Sequence, residues 1–108
     1  MSFDYYSLSL SCFVLTFFLS SSNRNNVTTA MHSDVPVAPP RPLHEMWVAC
    51  TRRSVADEKQ MLAPEERITI HQALKMKTID AAAVIGCDDF IGSIEPGKFG
   101  DLVVRGNR

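Results

Sequence analysis

VTTAMHSDVPVAPP, residues 27–40, sets how the chain is read. Residues 27–31 are short, β-branched-rich and bounded by polar residues, which predicts a strand. His32, Ser33 and Asp34 follow. Pro36, Pro39, Pro40 and Pro42 come next. Proline offers no amide hydrogen and holds the preceding residue extended, so this is a stiff, ordered loop. A strand that ends in a carboxylate backed by a rigid loop holds that carboxylate at the mouth of a pocket. Asp34 is therefore the residue whose role the rest of the sequence has to decide. The competing reading is a loop aspartate that caps a turn before proline. At a spacing of two on a strand, His32 and Asp34 share a face. His32, Ser33 and Pro36 are candidates to line the pocket, and a hydrogen-bonded structural role for His32 stands beside that.

Downstream, PLHEMWVACTRR (42–53) reads as a helix. Pro42 suits its first turn, and Leu43, Met46, Trp47 and Cys50 form one apolar face at helical spacing. Arg52 and Arg53 lie near the end of the helix dipole, on the solvated surface. His44 is an unremarkable first-turn residue, and Trp47 reads as core rather than pocket. A polar connection leads to a second helix over 69–85. There Thr69 and Gln72 make a capping box, and Ile70, Ala73, Leu74, Ala81, Ala82 and Ile85 supply the packing face. The alanines at 81–83 permit close approach, and Gly86 suits a left-handed stop. In the tail, EPGK is a type II turn signal with Pro96 and Gly97 at its centre. It joins predicted strands at 91–94 and 101–104, the apolar DLVV being typical of a strand covered on both faces.

The order is strand, loop, helix, helix, turn-linked strands, giving an α/β class. A lone strand leaves backbone donors and acceptors without neighbours, so the expectation is an incomplete domain, one piece of a larger fold.

Residues 1–26 have a different texture. Nothing is charged between Asp4 and Arg24, and SCFVLTFFLS is strongly apolar. A signal peptide needs a basic start and a small-residue cleavage site, and the early side-chain charge here is negative. A membrane helix needs about 20 mostly apolar residues, and six serines and a threonine dilute residues 5–22. An accidental start is the third reading. The alternatives stay open, and localisation follows them: membrane or secretory if 5–22 is a targeting segment, cytoplasmic otherwise. Residues 105–108 are a short tail.

Net charge is −1, with eleven Lys and Arg scattered among twelve Asp and Glu. Nucleic-acid binding needs clustered positive charge, and none is present. Cys12, Cys50 and Cys87 are far apart with no C-x-x-C pair. They read as small buried hydrophobes rather than thiolate zinc ligands or a disulfide framework.

Three motifs in order resemble a known family: AMHSDVPVAPPRPL…W…RR, LAPEERITIHQAL…T…AA and IGSIEPGKFGDLVV. They are similar to the C-terminal end of the metal-dependent hydrolases of the amidohydrolase superfamily, nearest the subgroup of N-substituted formamide deformylase. The resemblance covers 27–104 and leaves out 1–26. It implies the last strand and outer helices of a (β/α)8 barrel, followed by short β-sandwich strands. Residues 27–31 would be the eighth strand. Asp34 would be the last metal-site aspartate, touching the metal and taking a proton from the attacking water. Catalytic groups of such barrels sit at the C-terminal strand ends. A divalent ion, zinc by resemblance, lowers the pKa of bound water toward about 7. Gly100 departs from the family's usual alanine. The family's other ligands, a His-x-His pair, a lysine or acidic residue and two histidines, lie upstream of the matched part. This chain has only His32, His44 and His71.

The leading expectation is thus a truncated member of that family. Its relatives hydrolyse non-peptide carbon–nitrogen bonds in small amide-type substrates. Alone it would be catalytically incompetent and bind no metal. Two alternatives belong to other classes. One is a non-catalytic interaction protein, membrane-tethered through 5–22, that self-associates or meets a partner through exposed strand edges. The other is a small metal module built on His32, Asp34 and His44.

Overall fold

A computed structural model describes residues 19–36, 38–54 and 57–106. The apolar segment at 5–18, Cys12 and the last two residues of the tail lie outside the described residues. Among the described residues there are four helices, α1 (Leu19–Arg24), α2 (Pro42–Thr51), α3 (Ile70–Lys77) and α4 (Ile79–Val84), with a 3-10 turn at Pro64–Glu66. Among the described residues no helix is long and apolar enough to cross a membrane.

Pro42 opens α2, since its fixed φ is already helical. Arg52 ends it in the left-handed region (φ +58), its amide donating to the Val48 carbonyl at 2.7 Å. The buried face is Glu45, Met46, Val48 and Ala49. The face expected from periodicity is corrected by this: Leu43 is exposed, and Trp47 and Cys50 are half-buried. The buried face is rotated toward Glu45, which pairs there with Lys77. Arg52 also departs from expectation. Its left-handed backbone turns it inward, where it is 3% exposed and its Nε donates to the Leu62 carbonyl at 3.0 Å.

The capping box on α3 forms as expected. The Gln72 amide donates to Thr69 Oγ1 at 3.2 Å, and the Thr69 amide donates to Gln72 Oε1 at 2.8 Å. The expected single helix over 69–85 is instead two. Thr78 has φ −121 and ψ −98, and its hydroxyl donates back to the Leu74 carbonyl at 2.8 Å. Such bonding to the preceding turn competes with the helix ladder and bends it. The break resets the phase of the buried face. Ala73, Met76 and Ala82 are buried, whereas Ile70, Leu74 and Ile85 are exposed. Gly86 follows α4 with φ +72, its amide bonded to the Ala83 carbonyl.

The core is Met31, Met46, Ala49, Ile68, Ala73 and Met76, with Cys50 packed on it. Alanines let α2 and α3 approach, and flexible thioethers fill the irregular space between. A side-chain polar contact also crosses this core. Lys77 Nζ donates to the Met31 carbonyl at 2.8 Å and pairs with the Glu45 carboxylate. It thereby ties the segment before His32 to both helices.

The loop after α2 closes through the Ser54 amide to the Gln60 carbonyl and the Leu62 amide to the Arg52 carbonyl. The bridge Arg53–Met61 is the single β pairing among the described residues. Segments 27–31, 91–94 and 101–104, expected as strands, carry no ladder there. A strand exists only through a neighbour that takes its amides and carbonyls. Here Ile94, Val103 and Val104 are 87%, 96% and 95% exposed, so no layer covers the run expected to be covered on both faces.

The EPGK turn has the expected form: Gly97 has φ +93, and the Lys98 amide donates to the Glu95 carbonyl at 3.2 Å. Upstream of it the chain is pressed on α4. A Cβ at Gly92 would lie 2.8 Å from the Ala82 Cβ and 3.0 Å from the Ile79 Cα, at a φ of +94. The alanine run does allow close approach, but of a loop rather than a helix. Gly92→Ala is expected to cost about 1–3 kcal/mol in urea unfolding. Gly100→Ala, with nothing within 4 Å of its Cβ, is expected to stay within about 0.5 kcal/mol. Equal effects at the two glycines would contradict the packing.

Candidate functional site

Three residues beyond the anchored Met31 the chain turns sharply. Asp34 is left-handed, with φ +54. Aspartate tolerates that region better than most residues. Its amide donates to His32 Nδ1 at 3.1 Å. The Ser33 carbonyl accepts from the Ala38 amide at 3.2 Å, closing the far side of the turn. The Val35–Pro36 peptide is cis. Asp34, His32 and Pro36 are exposed, and Ser33 is half-buried. His32 and Asp34 do meet, but through a turn rather than on one strand face.

His32, Asp34 and His44 do not assemble into a metal site. His32 Nδ1 is taken by the Asp34 amide. The His44 ring stacks on Trp47, with centroids 5.4 Å apart and planes 17° apart. His71 is exposed on α3. Among the described residues no group of three or more His, Cys, Asp or Glu is placed to hold an ion. A catalytic zinc takes three protein ligands and a water, so the residues described here do not by themselves fit such a centre.

Cys50 and Cys87 are free and half-buried. Burial pushes the Cys50 thiol up, away from the thiolate a nucleophile needs. Sequence reasoning passed over Glu45 and Lys77, which hold the base of the turn. Their signal was two opposite charges, each beside the residues that α2 and α3 bury.

The tail motif carries a second small network. Ser93 Oγ donates to the Glu95 carboxylate, and Lys98 Nζ reaches Ser93 Oγ at 2.7 Å and Glu95 Oε2 at 2.9 Å. These contacts fasten the EPGK turn, and Lys98 needs no chemical role beyond that.

The model of the amidohydrolase family matches residues 18–105. The chain belongs to the amidohydrolase family. The match takes in α1 as well as the three motifs. Among curated relatives, Protein LONG AFTER FAR-RED 3 of Arabidopsis thaliana is 35% identical over 89 residues, 82% of this chain and 15% of its own length. N-substituted formamide deformylase of Arthrobacter pascens is 37% identical over 78 residues, 72% of this chain and 14% of its own. Imidazolonepropionase of Porphyromonas gingivalis is 60% identical over 37 residues, 34% of this chain and 9% of its own. The chain thus spans no more than 15% of the length of these relatives. No solved structure matches it.

The Glu95 carboxyl is held below its ordinary range, chiefly by the Ser93 hydroxyl and then by the Lys98 ammonium. A depressed native value adds stability above the unfolded-state pKa and loses it as pH falls through the native one. Thermal stability is therefore expected to fall below about pH 4. Glu95→Gln is expected to flatten that acid limb while leaving neutral pH nearly unchanged. An acid limb identical in both proteins would contradict the network.

Proposed function

We propose that this chain carries the C-terminal part of an amidohydrolase-type catalytic domain, with Asp34 as its contribution to the active centre. In this reading residues 27–31 stand where the last strand of a (β/α)8 barrel would run. Residues 91–104 belong to an accompanying β-sandwich. The chemistry is metal-dependent hydrolysis of a non-peptide carbon–nitrogen bond, with the formamide deformylase subgroup as the nearest guide to substrate class. Zinc is the metal that fits the donor types of the family.

The observation that carries the reading is the place of Asp34: an exposed carboxylate on a turn anchored at Met31, inside the motif that the family match spans. Its counterpart is the lack of any three-donor cluster among the described residues. A single carboxylate does not retain a catalytic ion against water. The 108-residue chain is accordingly inactive by itself, and its role is to complete a site whose other ligands it does not supply.

Calorimetry with zinc and an assay on a panel of amides and formamides test this directly. The purified chain is expected to show no zinc binding at micromolar concentration and no turnover above that of Asp34→Asn. Hydrolysis that Asp34→Asn abolishes, in a preparation free of host hydrolases, would overturn the incompetence of the isolated chain.

A further inference from the structure

We infer that His32 is a positioning residue for Asp34, acting through the Asp34 backbone amide, and not a metal ligand. The inference rests on the reading of Asp34 given above and deepens it. The carrying observation is the 3.1 Å hydrogen bond from the Asp34 amide to His32 Nδ1. A backbone amide can only donate, so Nδ1 must present its lone pair. In the neutral ring the proton then sits on Nε2. One nitrogen is occupied by the chain and the other is protonated, which leaves none for an ion.

The bond spans residues i and i+2, and Nδ1 stands as far from the backbone as the side-chain oxygen of an asparagine. That is the geometry of an Asx turn, in which a short polar side chain bonds the amide two residues on. His32 thus supplies with an imidazole what Asn or Asp supplies elsewhere. The bond matters because Asp34 is left-handed at φ +54, a conformation unfavourable for a residue with a side chain. Met31 is fixed on the core side by Lys77, and the Ser33 carbonyl is fixed by the Ala38 amide. The His32 bond closes the interval between those two anchors and sets the direction in which the Asp34 carboxylate leaves the chain.

The test is NMR on the full 15N-labelled chain at about pH 8, where a free imidazole is neutral. Long-range nitrogen–proton correlation reads the tautomer, and the strong intraresidue amide-to-Hα contact of a positive φ reads the Asp34 backbone. The expected result is His32 with its proton on Nε2 and the Asp34 contact strong. His32→Asn is expected to keep that contact, because its side-chain oxygen can accept the same bond. His32→Ala is expected to lose it, with melting of both variants close to that of the parent since His32 is exposed. A proton on Nδ1, or an unchanged Asp34 backbone in His32→Ala, would overturn the inference. Neither readout involves metal or turnover. The positioning role therefore fails or stands separately from the proposed hydrolase role.

Discussion

The ammonium of Lys77 lies between the Glu45 carboxylate and the Met31 carbonyl oxygen, and the described structure converges on that contact. Both side chains are largely withdrawn from water, at 13% and 11% exposure. Removing two charges from solvent is costly, and only tight mutual pairing with further hydrogen bonds offsets it. Here the third partner is the Met31 backbone carbonyl, which has no strand neighbour among the described residues. One lysine thus answers two needs. It neutralises a buried acid on α2 and caps an orphan acceptor on the segment leading to Asp34. With a core cluster of three methionines, two alanines and one isoleucine, the hydrophobic contribution holding that segment is modest, which raises the share carried by this contact.

The geometry at Asp34 follows from that anchor. Met31 is fixed in the core by its side chain and at its carbonyl by Lys77. The chain then leaves the core, turns left-handed at Asp34 and is received by the proline-rich loop. A carboxylate used for binding or proton transfer has to be held within a fraction of an ångström, and rigid support on both sides is what achieves this. The tail meets the same requirement differently. Gly92 allows the loop to lie against Ala82, and the Ser93–Glu95–Lys98 network fastens the turn beyond it. The family motifs therefore contain a good deal of scaffold around one carboxylate.

Local signals were readable wherever they rest on near neighbours in sequence. The Thr69–Gln72 capping box, the Gly97 turn and the left-handed Gly86 each depend on contacts within a few residues, and each has its expected form. Long-range balances were not readable. On α2, apolar spacing favours Leu43 and Trp47, whereas the buried face takes in Glu45, which pairs with a lysine thirty-two residues away. The division at Thr78 was missed because a β-branched hydroxyl residue inside a helical pattern is usually tolerated, and here its hydroxyl bonds back to Leu74. Strands at 27–31, 91–94 and 101–104 were read from side-chain character. A ladder needs partner backbone, and none is present among the described residues. For the site, the motif pointed to Asp34, but the Asx-like role of His32 needed the backbone angle that only coordinates provide.

A double-mutant cycle at Glu45 and Lys77, read by urea unfolding, tests the anchor most directly. Glu45→Met and Lys77→Met are each expected to cost about 3–5 kcal/mol, because each strands a buried charge. The double variant is expected to lose less than the two together, with a coupling of about 1–3 kcal/mol. Single losses within about 0.5 kcal/mol, or losses that simply add, would mean that this contact does not hold the segment before Asp34 in place.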